Sequence, residues 1–203
     1  MKLDQLLESH NTPIIIVDYQ PAYDKWIRQY ASHDMPQQLM AYLNEHNGPV
    51  LAYYNGNESS LDERFEVFQY YIENGLKEDK LEDIEFTSKM YGWLRQWTDA
   101  EVPPDIIIKT LRFMYQHRLG DSREITLDDY RSFLDENDIQ NWEKYLTGDS
   151  GAIWVPNEIS LAKLKTFNKG YICGGGRHAC LQELELTMSA FNIKYKRLER
   201  FIF

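Results

Sequence analysis

Three side chains of complementary chemistry stand at or just beyond the ends of short apolar runs in this chain. Asp18 follows Ile14–Val17, Lys109 follows Ile106, Ile107 and Ile108, and Cys180 follows Tyr171, Ile172, Cys173 and a run of three glycines. A thiol, an acid and an amine suffice for nucleophilic catalysis: the sulfur attacks once ionised, the carboxylate takes its proton, and the ammonium orients the carboxylate and stabilises the thiolate. Cys180 falls in the first turn of a predicted helix after Gly174, Gly175 and Gly176, where unpaired amides and the helix dipole favour negative charge. A stabilised thiolate is therefore expected there, with the amides of the turn as an oxyanion hole. The competing expectation is a buried cysteine that packs as a small apolar residue. Asp18 reads either as a general base or as a turn cap. Lys109 reads either as the charged organiser or as a strand-end lysine reaching solvent. Cys173, inside a predicted strand, reads as packing.

Around these three stand secondary candidates. Gln20 and Tyr23 support the Asp18 loop by hydrogen bonding and packing, or merely begin a helix. Gly176 and Ala179 belong to the turn whose amides would hold an oxyanion. Arg177 and His178 either bind an anionic substrate and stabilise the thiolate or are surface residues at a helix start. The triple glycine could cradle a phosphate, but the lysine-serine/threonine ending of a P-loop is missing. The two cysteines of the chain are too few for a disulfide framework and are not spaced as zinc ligands. Trp26, Trp93, Trp97, Trp142 and Trp154 are expected in the core or lining a cleft.

The elements that must position these groups alternate. Residues 13–17 and Val50–Tyr54 read as strands buried on both faces, and residues 21–47 as helical with a break at 34–36. Asn55, Gly56 and Asn57 form a turn. Ser59 or Ser60 caps a helix carrying Phe65, Phe68, Tyr71 and Ile72, which Asn74 and Gly75 end. An acidic connector at 77–83 and a helix at 90–97 follow, and Pro103-Pro104 closes that element. Residues 105–109 then read as a strand resembling the first. Helical pieces at Leu127–Glu136 and 139–145 form an insertion or lid around 120–165. A strand at 151–155, a helix at 157–167, a strand at 170–173, a helix at 177–191 and an edge strand at 194–203 complete the pattern. The alternation predicts a three-layer α/β/α, Rossmann-like fold with a mostly parallel sheet, in which ligands bind beyond the carboxyl ends of the strands where strand order reverses.

The chain has 203 residues, of which 43% are hydrophobic and 27% charged. That predicts one α/β domain over 1–203 with a substantial core. A formal charge of -10 disfavours nucleic acid and anionic membranes as partners. No apolar run approaches the ~18 residues a bilayer requires, and the acidic start MKLDQLLESH does not read as a signal peptide. A cytoplasmic protein is expected.

The segment Asp18-Tyr19-Gln20-Pro21-Ala22-Tyr23 resembles the D-x-Q-x-x-F/Y stretch after the first strand of the isochorismatase-like cysteine hydrolases, a family with an Asp–Lys–Cys triad. Ile108-Lys109-Thr110-Leu111-Arg112-Phe113 is similar to that family's strand-end lysine segment. Gly174 stands six residues before Cys180, as the family's glycine stands before its nucleophile. The resemblance implies Cys180 as nucleophile, Asp18 as base, Lys109 as organiser, and hydrolysis of a small amide, imide or vinyl-ether-like substrate without metal or cofactor. A homo-oligomer is compatible with it. Two departures stand out. Arg177 lies where the family commonly has threonine or aspartate. The interval from Lys109 to Cys180 is also long, so that either 120–165 is inserted or Lys89, in Thr87-Ser88-Lys89, is the triad lysine. The competing functions are a metal-dependent nuclease in which Asp18 with Glu183 or Asp105 holds a divalent cation, and a noncatalytic binding or regulatory protein retaining the fold.

Overall fold

The computed structural model describes residues 11–56, 60–89, 102–121, 127–137 and 158–203. Within them five strands, β1 (Ile14–Val17), β2 (Val50–Tyr54), β3 (Ile84–Ser88), β4 (Lys169–Gly174) and β5 (Lys194–Arg197), form one sheet in the order β3-β2-β1-β4-β5. Every pairing is parallel. The architecture is the α/β three-layer fold expected from the alternation of elements.

Successive residues of each central strand face opposite layers, as the two-residue period of a strand requires. Ile15, Val17, Leu51, Tyr53 and Ile172 pack into one core with Ile107, Leu111, Leu134, Leu161 and Leu184. Ile14, Ile16, Val50, Ala52, Tyr54 and Cys173 pack into the other with Ile27, Leu39, Val67 and Tyr71. The first core is covered by α5 (Pro104–Asp121), α6 (Leu127–Glu136), α7 (Glu158–Leu164) and α8 (Cys180–Ala190). The second is covered by α1 (Asp24–Tyr30), α2 (Met35–Asn44) and α3 (Leu61–Glu73), while a short α4 (Glu78–Leu81) leads into β3. Ser60 caps α3 by accepting from the Glu63 amide at 3.3 Å, and Gly75 ends it at φ +100, both as the residue types predict.

Several sequence expectations are corrected. Residues 105–109, expected as a strand, lie in the first turns of α5. Pro104 opens that helix rather than closing the preceding element, because a first-turn proline sacrifices no intrahelical bond. Asp105 complements the dipole, and Ile107 and Leu111 are buried one helical turn apart. Conversely β3 was not anticipated behind the acidic connector. Its Ile84 and Phe86 are buried while Glu85 between them is exposed, the alternation of a strand at a sheet edge. The break in the first helical region, expected at 34–36, falls at 31–34, between α1 and α2, and Pro36 sits in the first turn of α2. The final segment is β5 at the opposite edge, followed by a single 3₁₀ turn, Glu199–Phe201. Trp26 is 54% exposed and stacks on Tyr30 instead of lining a core. The expected helices at 90–97 and 139–145, the strand at 151–155, most of the 120–165 insertion and the four other tryptophans lie outside the described residues.

Strand order reverses between β1 and β4, since the chain runs outward to β3 on one side and to β5 on the other. Val17 is in register with Gly174 there. The two strands end in backbone that L-residues seldom adopt: Asp18 has φ 54, Gly174 φ 75 and Gly175 φ 62. A Cβ on Gly174 would collide with the Val17 carbonyl oxygen. Gly174→Ala is therefore expected to cost about 3 kcal/mol or more, combining left-handed strain with overpacking. Gly75→Ala, at a positive φ but with open space around it, should lose on the order of 1–2 kcal/mol. Denaturant unfolding of the two variants measures the difference.

Candidate active site

The switch point brings Asp18, Lys89 and Cys180 together from three elements. Asp18 follows β1, its amide extending the ladder by donating to Tyr53 O at 2.9 Å. Lys89 follows β3 in the same way, its amide donating to Tyr54 O at 2.7 Å. The end of β3 is fixed from α7: Ser160 Oγ donates to Ser88 O at 2.7 Å and meets Thr87 Oγ1 at 3.0 Å. Tyr53 Oη ties β2 to the same helix by donating to Ser160 O at 2.7 Å. Cys180 is the first residue of α8. The glycine turn folds the chain from β4 into that helix, with the Ala179 and Leu181 amides donating to Gly176 O at 3.0 and 3.3 Å.

Lys89 Nζ lies 2.9 Å from Asp18 Oδ2 and 3.0 Å from Glu183 Oε2. All three side chains are withdrawn from water, at 15%, 1% and 4% exposure respectively. Burial alone would disfavour the ammonium, but the charges of Asp18 and Glu183 outweigh it and raise the Lys89 pKa. The lysine is thus a fixed cation at any physiological pH. The Cys180 thiol is only partly buried and lies close enough to the Asp18 carboxylate and the Lys89 ammonium for both to act on its ionisation. Burial and the Asp18 charge push its pKa up to about 12, with Lys89 pulling the other way. The resting sulfur is therefore a thiol, contrary to the thiolate expected from the helix start. It needs a base at the moment of attack. Asp18 Oδ1 is buried without a hydrogen bond, so it retains a lone pair able to accept that proton.

Gln20 locks the rim. Its Nε2 donates to Asn55 O at 3.1 Å and its Oε1 accepts from the Asn55 amide at 2.6 Å, clamping the β1 loop to the turn after β2. Tyr23 Oη accepts from Asn55 Nδ2 at 3.2 Å. Burial, then the Asp18 charge, raise its pKa, so it stays a neutral phenol beside the cluster. Arg177 is drawn to Glu199 at 2.7 Å, with its amide donating to Phe203 O at 2.9 Å. His178 is exposed. The Ala179 and Arg177 amides are thus committed within the chain. The Gly176, His178 and Cys180 amides have no such bond among the described residues and are amides of the turn open to an oxyanion.

Lys109 is not brought to this cluster. It sits exposed on the second turn of α5, and its neighbour Arg112 caps the far end of α8, donating from Nε to Ala190 O at 2.6 Å. Asp105 is likewise exposed at the start of α5. Asp18 and Glu183 have an ammonium between them, in the place a cation would need. Among the described residues no group of three or more His, Cys, Asp or Glu is arranged to hold a metal ion, and no helix is long and apolar enough to cross a membrane. Glu183, weighed from sequence as a partner of Asp18 in holding a divalent cation, shares the Lys89 ammonium with Asp18. Its position three residues after Cys180, on the same face of a helix start, was the available signal.

Comparison of the chain with protein-family models, with curated proteins and with solved structures finds no match.

The two lysines are separable by experiment. Lys89→Met leaves two buried carboxylates without their cation and is expected to cost about 3–5 kcal/mol, whereas Lys109→Met, on an exposed helix face, should stay within about 0.5 kcal/mol of the parent. Equal losses in urea titrations would show that the buried ion cluster is not what it looks like. The thiol makes a prediction of its own. With a folded pKa of about 12 against ~8.5 unfolded, only the unfolded chain loses this proton as pH rises past ~8.5. The thiol's contribution to stability is whole below that pH and is lost on approach to the folded value. The buried Cys173 is raised too, so both cysteines act in this direction. Melting temperature should fall between pH 8 and 10, and less steeply in Cys180→Ser.

Proposed function

We propose that this protein is a cysteine-dependent hydrolase of a small electrophilic substrate, an amide or imide being the best fit, working through Asp18, Lys89 and Cys180. The observation that carries the reading is the meeting of a partly accessible thiol, a buried carboxylate with an unused lone pair and a buried ammonium at the switch point of a parallel sheet, where open α/β folds bind their ligands. The order of these residues in the chain, and the Asp18 to Tyr23 segment, resemble the isochorismatase-like hydrolases. The departures are that the lysine is Lys89 rather than Lys109, that its interval to the cysteine is longer still, and that a second carboxylate, Glu183, shares the ammonium.

The chemistry follows from the protonation states. The Sγ–H proton passes to Asp18 as Sγ adds to the substrate carbonyl carbon, forming the C–S bond and an oxyanion facing the Cys180 amide. Lys89 holds the carboxylate in place and offsets the negative charge developing on sulfur. Collapse of the tetrahedral adduct breaks the C–N bond, and the leaving nitrogen takes the proton from Asp18. Water then attacks the thioester, giving its proton to Asp18, which returns it to sulfur. None of these steps calls for a metal or cofactor. The charge of -10 points to a small molecule rather than nucleic acid as the partner, and a cytoplasmic location fits that chemistry.

The test uses p-nitrophenyl acetate as an acyl donor. The wild-type protein should release a burst of one nitrophenolate per chain and gain one acetyl group on Cys180 by intact mass and peptide mapping. Cys180→Ala should give no burst, and Asp18→Asn should slow the burst by about 10²-fold or more at pH 7, as removal of a general base does. Lys109→Met should acylate as the parent does. An undiminished burst in Cys180→Ala sinks the proposal.

A further inference from the structure

The Asp–Lys–Cys scheme has no task for Glu183, yet its side chain is 4% exposed and its carboxylate lies 3.0 Å from Lys89 Nζ. Burying a second carboxylate costs several kcal/mol unless a partner compensates it. Among the described residues the ammonium that also serves Asp18 is such a partner. Glu183 stands one helical turn after Cys180 on α8, where the dipole at the helix start favours negative charge. Its main chain is fixed on both sides: its amide donates to Ala179 O at 3.0 Å and its carbonyl accepts from Thr187 Oγ1 at 2.8 Å. The helix that supplies the nucleophile therefore also supplies a rigid anchor for the cation.

The consequence concerns Asp18 and Cys180. If Lys89 paired with Asp18 alone, the rest of its charge would act on the neighbouring thiol and favour the thiolate. Shared between two carboxylates at nearly equal distance, 2.9 and 3.0 Å, the ammonium still positions Asp18 while its pull on the sulfur is offset. Resting on the hydrolase reading above, we propose that Glu183 is a positioning residue of the catalytic centre: by sharing Lys89 with Asp18 it holds the ammonium in place and tempers its pull on Cys180.

Among the described residues the charged group set against Glu183 is Lys89, from the end of β3, which also meets Asp18 from the end of β1. Asp18 and Lys89 both act on Cys180, and Tyr23 lies close enough to feel Asp18, Lys89 and Cys180. From α5, packed along α8, Arg112 lies at the opposite end of the helix, on Ala190.

The experiment is the pH profile of Cys180 alkylation by iodoacetamide, followed by peptide mass spectrometry so that Cys173 is not counted. In Glu183→Gln the alkylation midpoint should fall by about one pH unit or more, and the acyl burst at pH 7 should weaken. Glu183→Asp keeps the charge and should return the midpoint toward that of the parent. Asp18→Asn, run beside them, should also lower the midpoint by removing the nearer carboxylate. A Glu183→Gln midpoint equal to the parent's, with Asp18→Asn shifted, overturns the role of Glu183 and leaves the triad standing. If neither variant moves it, the coupling of thiol to carboxylate is absent and the hydrolase reading fails with it. A lowered melting temperature in Glu183→Gln with an unmoved midpoint marks a purely structural ion pair and likewise overturns the proposal.

Discussion

A single buried ammonium holds this centre together. Lys89 reaches Asp18 from β1 and Glu183 from α8 at hydrogen-bond distance, and it does so from the end of β3, two strands away from Asp18 in the sheet. Burying carboxylates is costly unless a cation compensates them. Trading Lys89 for a neutral group would take from both acids the ammonium they share. The fold's contribution is to bring these ends to one level: the parallel registers place Val17 beside Tyr53 and Gly174, and Tyr54 beside Ser88, so that the residues following β1, β3 and β4 emerge on the same rim.

That rim is braced by polar contacts as well as by packing. Gln20 spans from the β1 loop to the β2 turn with two hydrogen bonds to Asn55. Ser160 links the end of β3 to α7. The glycine turn is met by residue 203, whose carbonyl accepts from the Arg177 amide and whose amide donates to Gly175 O. Each brace satisfies a backbone group that would otherwise be lost at a strand end, and each limits how far Asp18, Lys89 or Cys180 can drift from one another. Catalytic groups carried on loops gain precision only through such support.

What the sequence made legible follows from how local the signal was. The β-branched run before Asp18, the apolar run at Val50–Tyr54, the Ser60 cap, and the glycine turn leading from β4 into α8 are encoded by near neighbours, and each is readable. Lys109 was misplaced because Ile106, Ile107 and Ile108 suit a buried strand and a buried helix turn equally well. The flanking Pro104 and Asp105, which start helices, carried the deciding information. β3 escaped notice because an edge strand needs only alternate residues to be apolar, and Ile84 and Phe86 are separated by the exposed Glu85. Lys89 could be proposed as a substitute, but its pairing with Asp18 is a contact between residues 71 positions apart, and nothing in either segment specifies the other.

The protonation of Cys180 shows the same limit at the level of chemistry. A cysteine opening a helix suggests a thiolate, because the dipole and free amides are visible in the sequence as a glycine turn followed by a helical pattern. The neighbours that oppose ionisation are not visible: burial of the sulfur and the adjacent Asp18 charge both act against it, and they prevail over Lys89. A group whose pKa is set by residues from β1, β3 and α8 at once has no local signature. In this fold such a balance also has a chemical use, since a thiol that ionises only as its proton moves to a waiting carboxylate is protected from adventitious alkylation and oxidation while the site is empty. On the hydrolase reading proposed above, reactivity is conferred by a substrate that brings an electrophile into line with sulfur, which Lys89, held between two carboxylates, does not supply by itself.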